Sequence, residues 1–298
     1  MGNRDARADF DLGAYFIETP EFKQAEAAQR HLFAGAKGSG KTANFEILQE
    51  RLANRSLVLL AIAPADFEFP RLASVFEEHL SLARWEFVYG SFWRFILYTE
   101  VLRAIQLKFL GHLIQYAGEG KEYAQVLLGW IDENQDLLGL DFVSRVDAVL
   151  DRIASTSLGD PESRREALEE LLQSARMYRI DPQLREFSRQ FEIRLLIDDL
   201  DRNWSPDNPS SARLIVTLLN EIHTLMTTQA GHLRPAIFLR RDVFRWLELN
   251  DPEGHVPSSG VKARQPHNWV NQKPSPVAPP PSARRSSRWR PSRVPMRR

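Results

Sequence analysis

Apolar positions along this chain follow two rhythms. Continuous apolar runs bounded by turn residues predict buried strands at Arg30 to Ala34, Ser56 to Ala63, Glu192 to Ile197 and Pro235 to Leu239. Elsewhere the apolar positions recur every three or four residues, as a helix requires. Phe45, Leu48 and Leu52 follow the first strand, and Leu214, Ile215, Leu218, Leu219, Ile222 and Leu225 separate the third from the fourth. From Phe67 to about Arg189 the pattern is helical without a convincing strand. Within it, Trp85 to about Tyr116 reads as one long helix or two abutting ones. Asp160-Pro161-Glu162 opens a further helix with the stripe Ala167, Leu168, Leu171, Leu172 and Ala175, which suits packing in a helical layer better than docking a partner.

The order strand, helix, strand, long helical stretch, strand, helix, strand predicts an α/β fold with a parallel sheet flanked by helices and a large all-α insert. The segments are 1–66 and 191–250 for the two parts of the core, 67–190 for the insert, and 251–298 for a tail. With 298 residues and 43% hydrophobic content, the chain has enough apolar material for a substantial core. No apolar stretch reaches the length of a membrane span, no apolar run follows Met1 to Arg7, and Ala6 stands where a myristoylation signal needs Ser or Thr; a cytoplasmic location is the expectation. Cysteine is absent, which removes disulfides, thiolate catalysis and cysteine metal sites together.

The chemistry concentrates where the first strand ends. Gly35, Ala36, Lys37, Gly38, Ser39, Gly40, Lys41 and Thr42 fit G-x-x-x-x-G-K-[ST] at every fixed position. Chance supplies that pattern in about one chain in a hundred of this length, and a plain glycine-rich turn would not require the strand before it and the helix after it. Glycines without a β-carbon let successive backbone N–H groups turn toward phosphate oxygens, and the helix start adds its positive dipole end. Lys41 is then the charge for the β- and γ-phosphates, and the Thr42 hydroxyl a ligand for Mg²⁺; Lys37 contributes only its backbone N–H, its side chain facing solvent.

A second site follows the third strand, at Asp198 and Asp199. A carboxylate directly after an apolar strand suits Mg²⁺, the role read for Asp198; its neighbour Asp199 is the candidate to position water for attack on the γ-phosphate. In isolation the pair would read as an acidic turn, and only the glycine loop turns the reading toward chemistry. Asp201 and Arg202 read as a local ion pair. Arg240 or Arg241, after the fourth strand, offers a guanidinium to the γ-phosphate, with a simple surface charge as the alternative for each. All three segments fall at the carboxyl ends of strands, where ligands bind in open parallel sheets.

With Gly35 to Thr42 and Leu195-Leu-Ile-Asp-Asp-Leu-Asp-Arg202 both in view, the chain resembles bacterial P-loop ATPases of the KAP and STAND-like group. Phe238-Leu-Arg-Arg-Asp-Val-Phe244 is similar to a further segment of one branch of them. The resemblance covers roughly residues 15–250. It implies an additional-strand core of order 5-1-4-3-2, magnesium-dependent ATP hydrolysis, nucleotide used as a conformational switch, and a place in regulatory or phage-defence systems. No Leu-Ser-Gly-Gly signature of an ABC ATPase and no Asn-Lys-x-Asp for guanine is present, so ATP is the expected nucleotide.

The net charge of zero hides a mildly acidic body and a basic tail: residues 251–298 carry ten Lys or Arg against Asp251 and Glu253, and ten of the 18 prolines. That tail is expected to be disordered. It reads either as a basic arm for nucleic acid or an anionic membrane, or, preferred here, as a frameshifted or disrupted reading of a longer gene in which the fifth strand, beside strand 1, is lost. Two functions stand open: a Mg²⁺-dependent ATPase switch with Lys41, Thr42, Asp198, Asp199 and Arg240 at its site, or a non-hydrolysing, nucleotide-responsive scaffold. A homo-oligomer, and a protein or nucleic-acid partner held by the insert or the tail, fit either.

Overall fold

The computed structural model describes residues 6–9, 11–55, 57–63, 85–109, 111–118, 121–155, 166, 170, 172, 174–200, 204, 209–228 and 232–249. The stripe from Ala167 to Leu171, Asp201, Arg202, and the whole tail with any fifth strand lie outside them.

A 3₁₀ turn at Ala6–Ala8 and a short helix α1 (Leu12–Tyr15) precede α2 (Pro20–Glu26). Local chemistry starts α2: the Thr19 hydroxyl accepts the Phe22 N–H at 3.2 Å, Pro20 occupies the first turn, and Glu21 favours the positive helix end. Then come β1 (Leu32–Gly35), α3 (Lys41–Ala53) and β2 (Val58–Ile62). The helical stretch holds α4 (Trp85–Phe109), α5 (Leu113–Ala117), α6 (Glu122–Glu133), α7 (Gln135–Leu138), α8 (Phe142–Ser155) and α9 (Ser174–Gln190). It is followed by β3 (Ile193–Ile197), α10 (Pro209–Thr228), β4 (Leu233–Arg240) and α11 (Arg241–Leu249).

The four strands form one all-parallel sheet in the order β1-β4-β3-β2, which is the 1-4-3-2 part of the expected order. Both faces are covered. Leu196, Ala236 and Phe238 face a core completed by Phe22 and Ala25 of α2 and Phe45, Leu48 and Leu52 of α3. The alternate residues Leu195, Ile197, Ile237 and Leu239 face the opposite core, where α4 and α10 lie. This second core runs without a break through Phe92, Leu102 and Ile105 of α4 to Leu127 of α6 and Phe187 of α9. Trp93 ties the layer together: its ring is buried, and its Nε1–H donates to the Leu214 carbonyl at 2.9 Å.

Strand β4 starts two residues ahead of Pro235, although proline interrupts a ladder. The Ile237 N–H points toward β1, donating to His31 O at 2.8 Å, and by the two-residue repeat Pro235 presents the same side one step earlier. There β1 has not begun, since its pairing opens at Leu32 with Ile237, and no ladder bond is forfeited.

Candidate functional site at the strand ends

Register brings the predicted groups together. Gly35 pairs with Arg240, and Ile62 with Ile197, so the glycine loop, the Asp198 turn and Arg240 all emerge from the same edge. The loop after β1 is tight: Ser39 N–H donates to Ala36 O at 3.2 Å, and Gly38 and Gly40 take left-handed φ of +79° and +82°. Gly40 caps α3, and its carbonyl accepts both the Asn44 N–H at 2.9 Å and Asn44 Nδ2 at 2.7 Å. Gly35 is needed for proximity, because a Cβ there would stand 2.3 Å from Ser39 Oγ and 3.2 Å from Lys41 Cγ. The Lys41 ammonium curls back over the loop and donates to the carbonyls of Gly35 at 3.3 Å and Ala36 at 3.1 Å. Lys37 is exposed.

The first residue of α3 after Lys41 meets the end of β3. The Thr42 hydroxyl neighbours Asp198, which is buried at 1% exposure and held through its N–H to Ile62 O at 3.0 Å. Burial and then the adjacent Asp199 charge push the Asp198 carboxyl up to about 6, while the neighbouring Thr42 hydroxyl pulls the other way. Its Oδ2 is buried with no hydrogen bond. An acceptor left in that state beside a hydroxyl suits a hard, oxygen-seeking cation. Among the described residues no group of three or more His, Cys, Asp or Glu could hold a metal alone. A Mg²⁺ ion would not need one, since it keeps waters and takes phosphate oxygens alongside one or two protein ligands.

Asp199 adopts a left-handed backbone, φ +60°, uncommon for a residue with a side chain. Its Oδ2 lies 2.7 Å from Arg7 Nη1. Arg7 also reaches Asp198 Oδ2 at 3.9 Å and Glu46 Oε1, on α3, at 3.2 Å. Neither Arg7 nor Glu46 emerges from motif reading. The one hint is the cap signature Thr19-Pro20-Glu21, which implies that the amino-terminal segment is ordered. Arg240 stands beside the loop in register, but its guanidinium engages Asp242 two residues on; Arg241 is exposed at the start of α11.

No family model matches the chain, and no solved structure matches it. Among curated proteins it is similar to the transposon gamma-delta 80.3 kDa protein of Escherichia coli (strain K12). The two are 23% identical over 266 residues, or 87% of this chain and 36% of that protein, so the chain spans about a third of its relative's length. Among the described residues, no helix is long and apolar enough to cross a membrane.

Proposed function

We propose that the chain is a P-loop ATPase of the KAP and STAND-like kind, using Mg²⁺-dependent ATP hydrolysis as a conformational switch in a bacterial regulatory or defence system. The observation that supports it most is the placing of Thr42, in the first turn behind the glycine loop, beside the buried Asp198 carboxylate at the next strand but one. In this reading the loop amides and the start of α3 bind the β- and γ-phosphates, and Lys41 exchanges its two carbonyl partners for phosphate oxygens. Thr42 and Asp198 would hold Mg²⁺, which supplies charge neutralisation between the β- and γ-phosphates.

Asp199 orients the attacking water. The water oxygen forms a bond to the γ-phosphorus, the bond from that phosphorus to the β,γ-bridging oxygen breaks, and ADP leaves with the electron pair. The water's proton passes to the Asp199 carboxylate. Arg240 is the group in register to approach the γ-phosphate, once its guanidinium leaves Asp242. The likeness to a transposon-named protein is compatible with a gene carried on a mobile element, and the activity of that longer protein is not needed for this reading.

Two substitutions test the assignment. Lys41→Ala weakens nucleotide affinity by about tenfold or more, read by fluorescent-nucleotide titration. Asp199→Ala keeps that affinity and lowers turnover by about 100-fold or more. Unchanged affinity in the first sinks the nucleotide site, and unchanged turnover in the second removes only the role of Asp199. A wild-type chain that binds nucleotide without turnover is the scaffold instead, a reading favoured by the ion pair already engaging Asp199 Oδ2.

A further inference from the structure

The amino-terminal segment places a guanidinium among the carboxylates of the site. Arg7 sits in the 3₁₀ turn before α1, remote in sequence from both motifs, yet its side chain is only 27% exposed and meets Glu46, Asp198 and Asp199. The strongest of these contacts is to Asp199 Oδ2, at 2.7 Å. The other Asp199 oxygen has no partner among the described residues. A carboxylate on a turn, 26% exposed, would otherwise sweep through several rotamers. Arg7 Nη1 holding one oxygen narrows those rotamers and leaves the second oxygen to accept a hydrogen bond.

The guanidinium is itself held. Its Nε bonds Glu46 Oε1 at 3.2 Å, and Glu46 is four residues beyond Thr42 on the same helix. Glu46, Arg7 and Asp199 therefore form a bridge from the helix that carries Lys41 and Thr42 to the strand end that carries both aspartates. We infer that Arg7 is a positioning residue for Asp199, and that the amino-terminal turn is thereby part of the hydrolytic site. This rests on the ATPase reading above.

Turnover and fluorescent-nucleotide affinity, each measured on the full chain for wild type, Arg7→Ala, Arg7→Lys and Glu46→Gln, decide it. Positioning predicts that Arg7→Ala lowers kcat by about 10- to 100-fold with nucleotide affinity within about twofold of wild type. Arg7→Lys, which keeps the charge and loses the fork, should recover part of the rate, and Glu46→Gln should show a smaller loss of kcat. Should Arg7→Ala fail to fold, the Lys and Gln variants carry the same comparison. Turnover equal to or faster than wild type in Arg7→Ala, or in the other two where it does not fold, overturns the inference. A faster rate would mean that the ion pair restrains the site. A wild type with neither turnover nor nucleotide binding overturns the ATPase reading, and this inference with it. An active wild type whose Arg7 variants match it overturns this one alone.

Discussion

At the scale of single residues, the loop depends on what is missing from Gly35. An added methyl there would press on Ser39 Oγ and on the stem of Lys41, the residue assigned to phosphate. Gly35→Ala should therefore weaken nucleotide binding several-fold while costing only about 1–3 kcal/mol of stability, the usual range for overpacking. Adding Ser39→Gly removes the closer clash, at 2.3 Å, and should restore part of the affinity. Nucleotide titration of the single and double variants checks this; equal affinity in wild type and Gly35→Ala would show that the loop shifts without loss. Asp199 illustrates the opposite economy, a side chain kept where the backbone favours glycine. Strain retained at a position assigned to chemistry is a common feature of functional sites.

At the scale of elements, the bracing of the sheet centres on α4. Trp93→Ala should destabilise the chain by about 3–5 kcal/mol in urea, since it opens a large cavity and removes the donor to Leu214 O. Trp93→Phe retains most of the packing and loses only the indole donor, because the Leu214 carbonyl lies inside α10 and keeps its helical partner, for about 0.5–1.5 kcal/mol. A Trp93→Ala variant within about 1 kcal/mol of wild type would show that α4 does not brace the sheet. Much of this layer was legible beforehand, because Phe92, Phe95, Val101 and Ile105 recur at helical spacing. The four strands were equally plain as apolar runs, with ends displaced by at most two residues. β1 extends to Gly35 because pairing with Arg240 continues to the loop, and β4 begins at Leu233 because Pro235 lies before its neighbour starts. The meeting of Thr42 with Asp198 followed from both lying behind strand ends. What stayed hidden was Arg7: a lone cation has no periodicity, and its partner Glu46 is 39 residues away. The engagement of Arg240 by Asp242 was hidden too, being a choice among rotamers.

At the scale of the whole molecule, the sheet and the helical stretch draw on a common interior. Residues from β2, β3, α4, α6, α9 and α10 belong to one buried cluster, with Phe109 and Phe187 meeting edge to face at 6.0 Å. Unfolding followed by calorimetry should show one transition for these layers. Two separated peaks would show that the helices melt as a unit of their own. The same shared interior governs what happens when the backbone is cut. A chain nicked between residues 63 and 85 would give one fragment bearing the glycine loop and another bearing both aspartates. Because β2 of the first pairs with β3 and packs against α4 of the second, and β1 pairs with β4, the fragments should co-elute as a complex, and neither should fold when expressed alone.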